Sequence, residues 1–133
     1  MILFFYNVAL LTALLASFPW WLWRMATTQK YREGLGERLG RVPPRLRNPQ
    51  GARPVIWLHA VSVGEVLAVG RLVQELTATF PKHQLFISTT TRTGQALARE
   101  RFGPERVFYC PLDLPWAVRA YLSALRPAML VLA

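Results

Sequence analysis

The stretch that decides the fold is PVIWLHAVSVGEVLAV, residues 54–69. An apolar, β-branched run comes first, then a short turn with glycine, then apolar residues at helical spacing, which together predict a strand, a loop and a helix. In an open α/β sheet such a loop lies at the carboxyl end of its strand, where ligands bind. We therefore expect Glu65 to begin the helix with its carboxylate facing that crevice. A carboxylate there could act as a general base toward a substrate hydroxyl.

The same residues allow a second interpretation. Ser62-Val63-Gly64-Glu65 matches a capping box, in which Ser62 caps the helix and Glu65 reaches back to a backbone N–H. The two roles of Glu65 are compatible, and spacing alone favours capping as the main one. Gly64 is not part of a G-x-G-x-x-G run, so the phosphate loop of dinucleotide enzymes is missing here.

From Pro54 onward, strand and helix patterns alternate. Strands are predicted at residues 55–59, 84–88, 106–110 and 128–132, and helices at 65–80, 93–102 and 114–125, with Asp113 as the cap of the last helix. This βαβαβαβ order predicts an α/β fold with a parallel sheet and right-handed crossovers over residues 54–133. The sequence stops inside an apolar strand, and a buried parallel strand needs cover on both faces. The expectation is the first part of a longer domain.

Residues 1–23, MILFFYNVALLTALLASFPWWLW, carry no charge. Their length and terminal tryptophans favour a single membrane-spanning anchor helix. A signal peptide fits poorly, because no basic segment precedes the run and no small-residue cleavage site follows it. A buried core helix stays open, given Asn7 and Pro19.

The segment 24–53 is strongly basic and is predicted to be a juxtamembrane helix followed by a linker rich in Pro and Arg. Eight Lys and Arg against two Glu give it +6 of the net charge of +9. A basic cluster after an apolar span indicates the cytoplasmic face of the inner membrane and suits anionic lipids. Nucleic acid is the other common partner of a basic chain, but no nucleic-acid motif is present.

The cysteine and histidine content argues against disulfide and metal chemistry. Cys110 is the only cysteine, which suits a reducing compartment. The two histidines, His59 and His83, have no neighbouring ligand pattern, so neither a metal nor another cofactor is predicted.

Three loops are expected to meet at the carboxyl edge of the parallel sheet: residues 59–65, 88–94 and 111–113. The middle loop brings hydroxyls, N–H groups at a helix start and Arg92, which suit an anionic or polyhydroxylated ligand. The competing interpretation makes Thr91 or Thr93 a helix cap and Arg92 a surface charge.

Four segments in order resemble the 3-deoxy-D-manno-octulosonic acid (Kdo) transferases: KYREGLGERLG (30–40), WLHAVSVGEV (57–66), STTTRTG (88–94) and YCPLDLPWAVRAYL (109–122). The resemblance implies a GT-B glycosyltransferase of two Rossmann-like domains, of which this chain would be part of the N-terminal, acceptor-binding one. It implies CMP-Kdo as donor, the lipid A precursor as acceptor, and a place in lipopolysaccharide synthesis.

The resemblance also implies roles for individual residues. Glu65 matches the catalytic general base, and the acceptor-binding residues would be Ser62, Gly64, Thr90, Thr91 and Arg92. The family's next motif, an acidic pair before Trp-Pro, would follow Ala133, as would the donor domain. No donor-binding residue is therefore expected among these 133 residues, which alone would be inactive.

Two other functions compete. A nucleotide-dependent oxidoreductase needs a glycine-rich first turn and an acidic residue after the second strand, and the sequence has neither. A membrane-anchored, Rossmann-like binding or adaptor module without catalysis stays open.

Overall fold

The computed structural model describes residues 12, 15–20, 33–48 and 53–133. The chain divides into two compact units, residues 1–33 and 34–133. In the first unit residues 15–20 are helical, and Leu15, Phe18 and Trp20 are exposed. No helix within the described ranges has both the length and the hydropathy needed to cross a bilayer. Most of the anchor predicted at 1–23 lies outside the described residues.

The second unit is a four-stranded parallel sheet between two layers of helix. The strands are β1 (Val55–His59), β2 (Gln84–Thr89), β3 (Val107–Tyr109) and β4 (Pro127–Leu132). The helices are α1 (Leu35–Arg38), α2 (Val63–Ala68), α3 (Gly70–Thr79), α4 (Arg92–Phe102) and α5 (Pro115–Leu125), with a 3-10 turn at Pro44–Leu46. This confirms the predicted α/β class and parallel sheet, and the fold is Rossmann-like.

Strand order β3-β2-β1-β4 makes β1 central. His59 is paired with Ser88 of β2 and with Leu132 of β4, so the three strands end at the same level. The chain runs across the sheet from β1 to β3 and then returns past β1 to form β4. The order in which the chain adds strands to the sheet therefore reverses between β1 and β4. Open α/β sheets form ligand crevices at such a reversal.

The sheet has one apolar core on each face, because side chains alternate along each strand. On one face Ile56, Leu58 and Ile87 pack against α2, α3 and α4. On the other face Trp57, Phe86 and Phe108 pack against Tyr121 and Leu125 of α5, with Val42 and Leu46.

Part of the predicted linker belongs to this second core. Leu46 is fully buried, and the N–H of Asn48 donates to the carbonyl oxygen of Ala124 at 2.9 Å. Residues 42–48 of the segment predicted as a helix and linker therefore pack onto this domain, and a buried leucine contributes to folding through the apolar area it removes from water.

Two helix boundaries also differ from the predictions. The helix predicted at 65–80 is two helices, separated at Val69 and resumed at Gly70, a residue with low helix propensity. Leu114, not Asp113, occupies the N-cap of α5, and no side chain caps that helix. The residue before a proline is held extended, so Pro115 places the helix start one residue later than expected.

Candidate active site at the carboxyl edge of the sheet

The loop after β1 lies at the reversal point between β1 and β4. Ala60 is buried and its N–H donates to the carbonyl oxygen of Ser88 at 3.0 Å, so the loop leaves the sheet beside β2. Ser62 is extended and stands at the N-cap of α2. Glu65 then falls at the third helical position of α2.

The Glu65 carboxylate binds back onto its own loop. Oε2 accepts a hydrogen bond from the N–H of Val61, and Oε1 lies 3.4 Å from the Ser62 hydroxyl. The predicted capping box is thus half correct: Glu65 reaches back, but to the residue before the N-cap, and the Ser62 side chain does not cap the helix. A carboxylate offers about four lone-pair positions, so these contacts leave room for a substrate hydroxyl.

Gly64 lies beside Glu65 and faces open space. A methyl group built at Gly64 meets only the Ser62 hydroxyl, at 4.0 Å. No described atom therefore requires a glycine at this position.

The loop after β2 is joined to the loop after β1. The N–H groups of Thr90 and Thr91 both lie 3.2 Å from the carbonyl oxygen of Val61. A Cβ at Gly94 would lie 2.8 Å from the Thr91 hydroxyl oxygen and 3.3 Å from the carbonyl carbon of Ser62, so a larger residue would force one of these neighbours to shift. The two loops form one surface.

Three of the residues that the resemblance assigns to acceptor binding, Thr90, Thr91 and Arg92, lie on this surface. Thr91 is the N-cap of α4, and its hydroxyl oxygen accepts from the N–H of Gly94 at 3.1 Å. Thr90 and Arg92 are exposed beside it. Thr89, predicted in this loop, is instead buried in β2, next to Ser88, the predicted last residue of that strand.

A buried polar cluster supports the edge from below. The Ser88 hydroxyl accepts from the indole N–H of Trp57 at 2.8 Å and lies 2.9 Å from Nδ1 of His59. Burial raises the pKa of the neighbouring Cys110 thiol, while a hydrogen bond with Ser88 and the charge of Arg38 oppose that rise. Cys110 is therefore held as a neutral thiol at physiological pH, which does not suit a nucleophile.

The residues of α1 were not predicted at this edge. The Glu37 carboxylate accepts from the N–H of Tyr109 at 2.8 Å. The Arg38 guanidinium donates to the carbonyl oxygen of Thr90 at 2.5 Å and lies 4.5 Å from the centre of the Tyr109 ring. Helical charge spacing showed only a short helix here; the resemblance of residues 30–40 was the sole signal that this segment belongs to the site.

The arrangement offers the half-buried carboxylates of Glu65 and Glu37, hydroxyls, a helix start and basic side chains at a topological switch point. Among the described residues, no cluster of three His, Cys, Asp or Glu could hold a metal ion. This set can bind a hydroxyl-bearing anion and accept a proton from it.

The sequence model of the 3-deoxy-D-manno-octulosonic-acid transferases (kdotransferases) matches residues 33–133. The chain belongs to this family. The site described above lies wholly inside the matched region.

Similar curated proteins carry the same name. The chain is 30% identical to the 3-deoxy-D-manno-octulosonic acid transferase of Chlamydia pneumoniae, over 96% of this chain and 29% of that protein. It is 36% identical to the transferase of Haemophilus influenzae, over 77% of this chain and 23% of that protein. A probable mitochondrial transferase of Arabidopsis thaliana is 28% identical over 72% of this chain and 22% of that protein.

The chain spans less than a third of the length of these relatives. No solved structure matches it.

Proposed function

We propose that this chain forms the acceptor-binding side of a GT-B glycosyltransferase, which moves Kdo from CMP-Kdo to the lipid A precursor in lipopolysaccharide synthesis. The observation that carries the proposal is the position of Glu65 at the sheet reversal, inside the region that matches the kdotransferase family. The donor site would lie in a second domain, outside these 133 residues.

In this mechanism Glu65 takes the proton of the acceptor hydroxyl as that oxygen attacks the anomeric carbon of Kdo. The new glycosidic C–O bond forms, the bond from Kdo to the CMP phosphate breaks, and CMP leaves with the bonding electrons. A positioned base of this kind contributes roughly 10²–10⁴-fold to rate. The residues proposed to bind the acceptor beside it are Ser62, Gly64, Thr90, Thr91 and Arg92.

The proposed cellular setting follows from the sequence. Residues 1–23 would anchor the protein in the inner membrane by one helix, with the catalytic part on the cytoplasmic face. The described segment before the sheet is basic, because it contains Arg38, Arg41, Arg45 and Arg47. Such a segment suits a phosphorylated lipid and anionic membrane lipids.

A chimera tests the catalytic role. Residues 33–133 replace the matching segment of the Haemophilus influenzae relative, which supplies the rest of the enzyme. The wild-type chimera should transfer Kdo from CMP-Kdo, and Glu65→Gln should lose about 10²–10⁴-fold in kcat. Glu65→Gln keeps a hydrogen-bond acceptor for Val61, so it separates proton transfer from loop structure. Transfer within about tenfold of wild type would show that Glu65 only stabilises the loop.

One observation favours a second function, a membrane-bound binding module without catalysis. Both oxygens of Glu65 already have partners within the loop, Val61 and Ser62. In that case the folded wild-type chimera would bind the lipid A precursor without transferring Kdo.

A further inference from the structure

A pocket of about 510 Å³ lies against the C-terminal half of α5. Its floor consists of small side chains on one face of the helix, Ala120, Ser123 and Ala124. Two stretches form its walls, residues 40–42 and 47–48. Asn48 is buried and its N–H donates to the Ala124 carbonyl oxygen at 2.9 Å, which fixes one wall to the helix.

The pocket is strongly basic. Three of its lining residues are arginines, Arg41, Arg47 and Arg126, and none of its lining residues is acidic, so the lining carries a charge of +3. All three arginines are exposed. Across residues 33–48 and 53–133, none of the three forms an ion pair with a carboxylate. Their donors are therefore available to a ligand.

Arg126 occupies a backbone conformation that favours glycine. Its φ and ψ angles are 47° and 58°, and it is the only non-glycine residue with positive φ in the described part of the chain. Helices commonly end on a left-handed residue, which is usually glycine because a Cβ is strained there. An arginine at this position carries a conformational cost, which calls for a compensating role of its side chain.

We propose that this arginine pocket, formed by Arg41, Arg47, Arg126 and the small residues of α5, binds a phosphate-bearing ligand. Guanidinium groups match phosphate oxygens with paired N–H donors, and three arginines in the lining of one pocket suit a dianion. The volume lies within the range of small-ligand sites. The pocket shares no residue with the Glu65 surface, so the proposal does not depend on the proposed transfer reaction, although it makes the proposed lipid contact of Arg41 and Arg47 more specific.

The test uses the full chain in nonionic detergent at low salt. Isothermal titration with inorganic pyrophosphate measures affinity for a soluble phosphate. Side-chain Nε–H signals of arginine, followed as the micelles are doped with phosphatidylglycerol or with neutral phosphatidylcholine, report a lipid headgroup. Binding of pyrophosphate indicates a soluble ligand, and a response to phosphatidylglycerol alone indicates a headgroup; both support the site.

Three variants make the result specific to the pocket. Arg126→Gly should lose about tenfold or more in affinity while its melting temperature stays equal or rises, because glycine relieves the strained backbone. Arg47→Gln should lose a similar factor in affinity, and it leaves the C-terminal end of α5 unchanged. Arg119→Gln, on the same helix but outside the lining, removes the same charge and should bind as wild type.

Three results would overturn the proposal. The first is no response to pyrophosphate and none to phosphatidylglycerol. The second is affinity within about twofold of wild type in either pocket variant. The third is an equal loss in Arg119→Gln, which would assign the binding to overall surface charge. A fall in the melting temperature of Arg126→Gly with unchanged affinity would instead show that the charge of Arg126 stabilises α5 by interacting with the negative, C-terminal end of the helix dipole.

Discussion

The carboxylate of Glu65 accepts a hydrogen bond from the main-chain N–H of Val61, four residues earlier in the chain. The same side chain that is proposed to take a proton from the acceptor therefore also holds the loop that presents it. Structure and chemistry at this position must be separated by experiment, because loss of either would lower activity.

Stability measurements on two variants separate them. Glu65→Ala removes the acceptor for Val61 and should lower the free energy of unfolding by about 0.5–2 kcal/mol, as loss of a helix-start hydrogen bond does. Glu65→Gln retains an oxygen at the same place, so its free energy of unfolding should fall by clearly less. Urea unfolding followed by circular dichroism measures both. Equal losses would show that the loop does not depend on that oxygen.

A pair of glycine substitutions tests the shape of the edge. At Gly94 a Cβ would lie 2.8 Å from the Thr91 hydroxyl oxygen, so Gly94→Ala should cost about 1–3 kcal/mol by overpacking. At Gly64 the space is open, and alanine should stabilise α2 by about 0.5–1 kcal/mol. Unfolding midpoints give both values.

Gly64→Ala carries a second expectation. If the acceptor passes Gly64 on its way to Glu65, the more stable variant should transfer Kdo more slowly. An unchanged rate would place the approach elsewhere.

Arg92 stands at the start of α4, beside Thr90 and Thr91. If it contacts an anionic acceptor, Arg92→Ala should raise the KM for the lipid A precursor more than the KM for CMP-Kdo. Arg92→Lys keeps the charge and should recover part of the difference. Steady-state kinetics with each substrate varied in turn measure the two KM values. Equal changes in the KM for the lipid A precursor and the KM for CMP-Kdo would count against an acceptor role.

The Cys110 thiol should react with iodoacetamide only at raised pH. Burial holds its pKa above the ordinary value, and the nearby charge of Arg38 partly opposes this. The alkylation rate follows the thiolate fraction, so its midpoint should lie above that of a free cysteine peptide, about 8.5. Arg38→Gln should move the midpoint higher still. A midpoint at or below that of the peptide would contradict the buried, neutral thiol.

The proposed topology places residue 2 in the periplasm and residue 47 in the cytoplasm. In a Cys110→Ser background, a single cysteine at position 2 should react with an impermeant thiol reagent in cells with a permeabilised outer membrane. A single cysteine at position 47, which is exposed in the structure, should not react. Labelling at position 47 alone would show that the orientation is the reverse of the proposed one, in which case the catalytic part would have no access to cytoplasmic CMP-Kdo.

The sheet could be predicted from sequence because its signals are local. The predicted first strand at 55–59 has the observed bounds, β2 and β4 differ from their predictions by one residue at one end, and β3 differs by one residue at each end. Short apolar runs between turn residues mark such strands. Parallel pairing followed from the alternation with helices. The edge loops, and Glu65 among them, followed from that topology.

The misplaced features depend on tertiary contacts. Nothing near Leu46 in the sequence indicates a core against Phe108 and Tyr121, since the surrounding residues are prolines and arginines. The contact of Arg38 with Thr90 joins residues 52 positions apart, beyond the range of any helical or strand period. The hydrogen-bond donor to Glu65 is the N–H of Val61 and not that of the N-cap residue. This choice depends on loop geometry that the capping-box pattern does not specify.

The contact that Gly94 permits has a consequence for substrate selection. Because the backbone at Ser62 packs against the first turn of α4 and the loop after β2 donates hydrogen bonds to Val61, we expect the surface after β1 and the surface after β2 to adjust together to ligands of different shape. The two loops therefore act as one surface and not as two separately adjustable segments. Discrimination among related hydroxyl acceptors would then come from fit to a fixed contour, and a change of acceptor preference would require compensating substitutions in both segments at once.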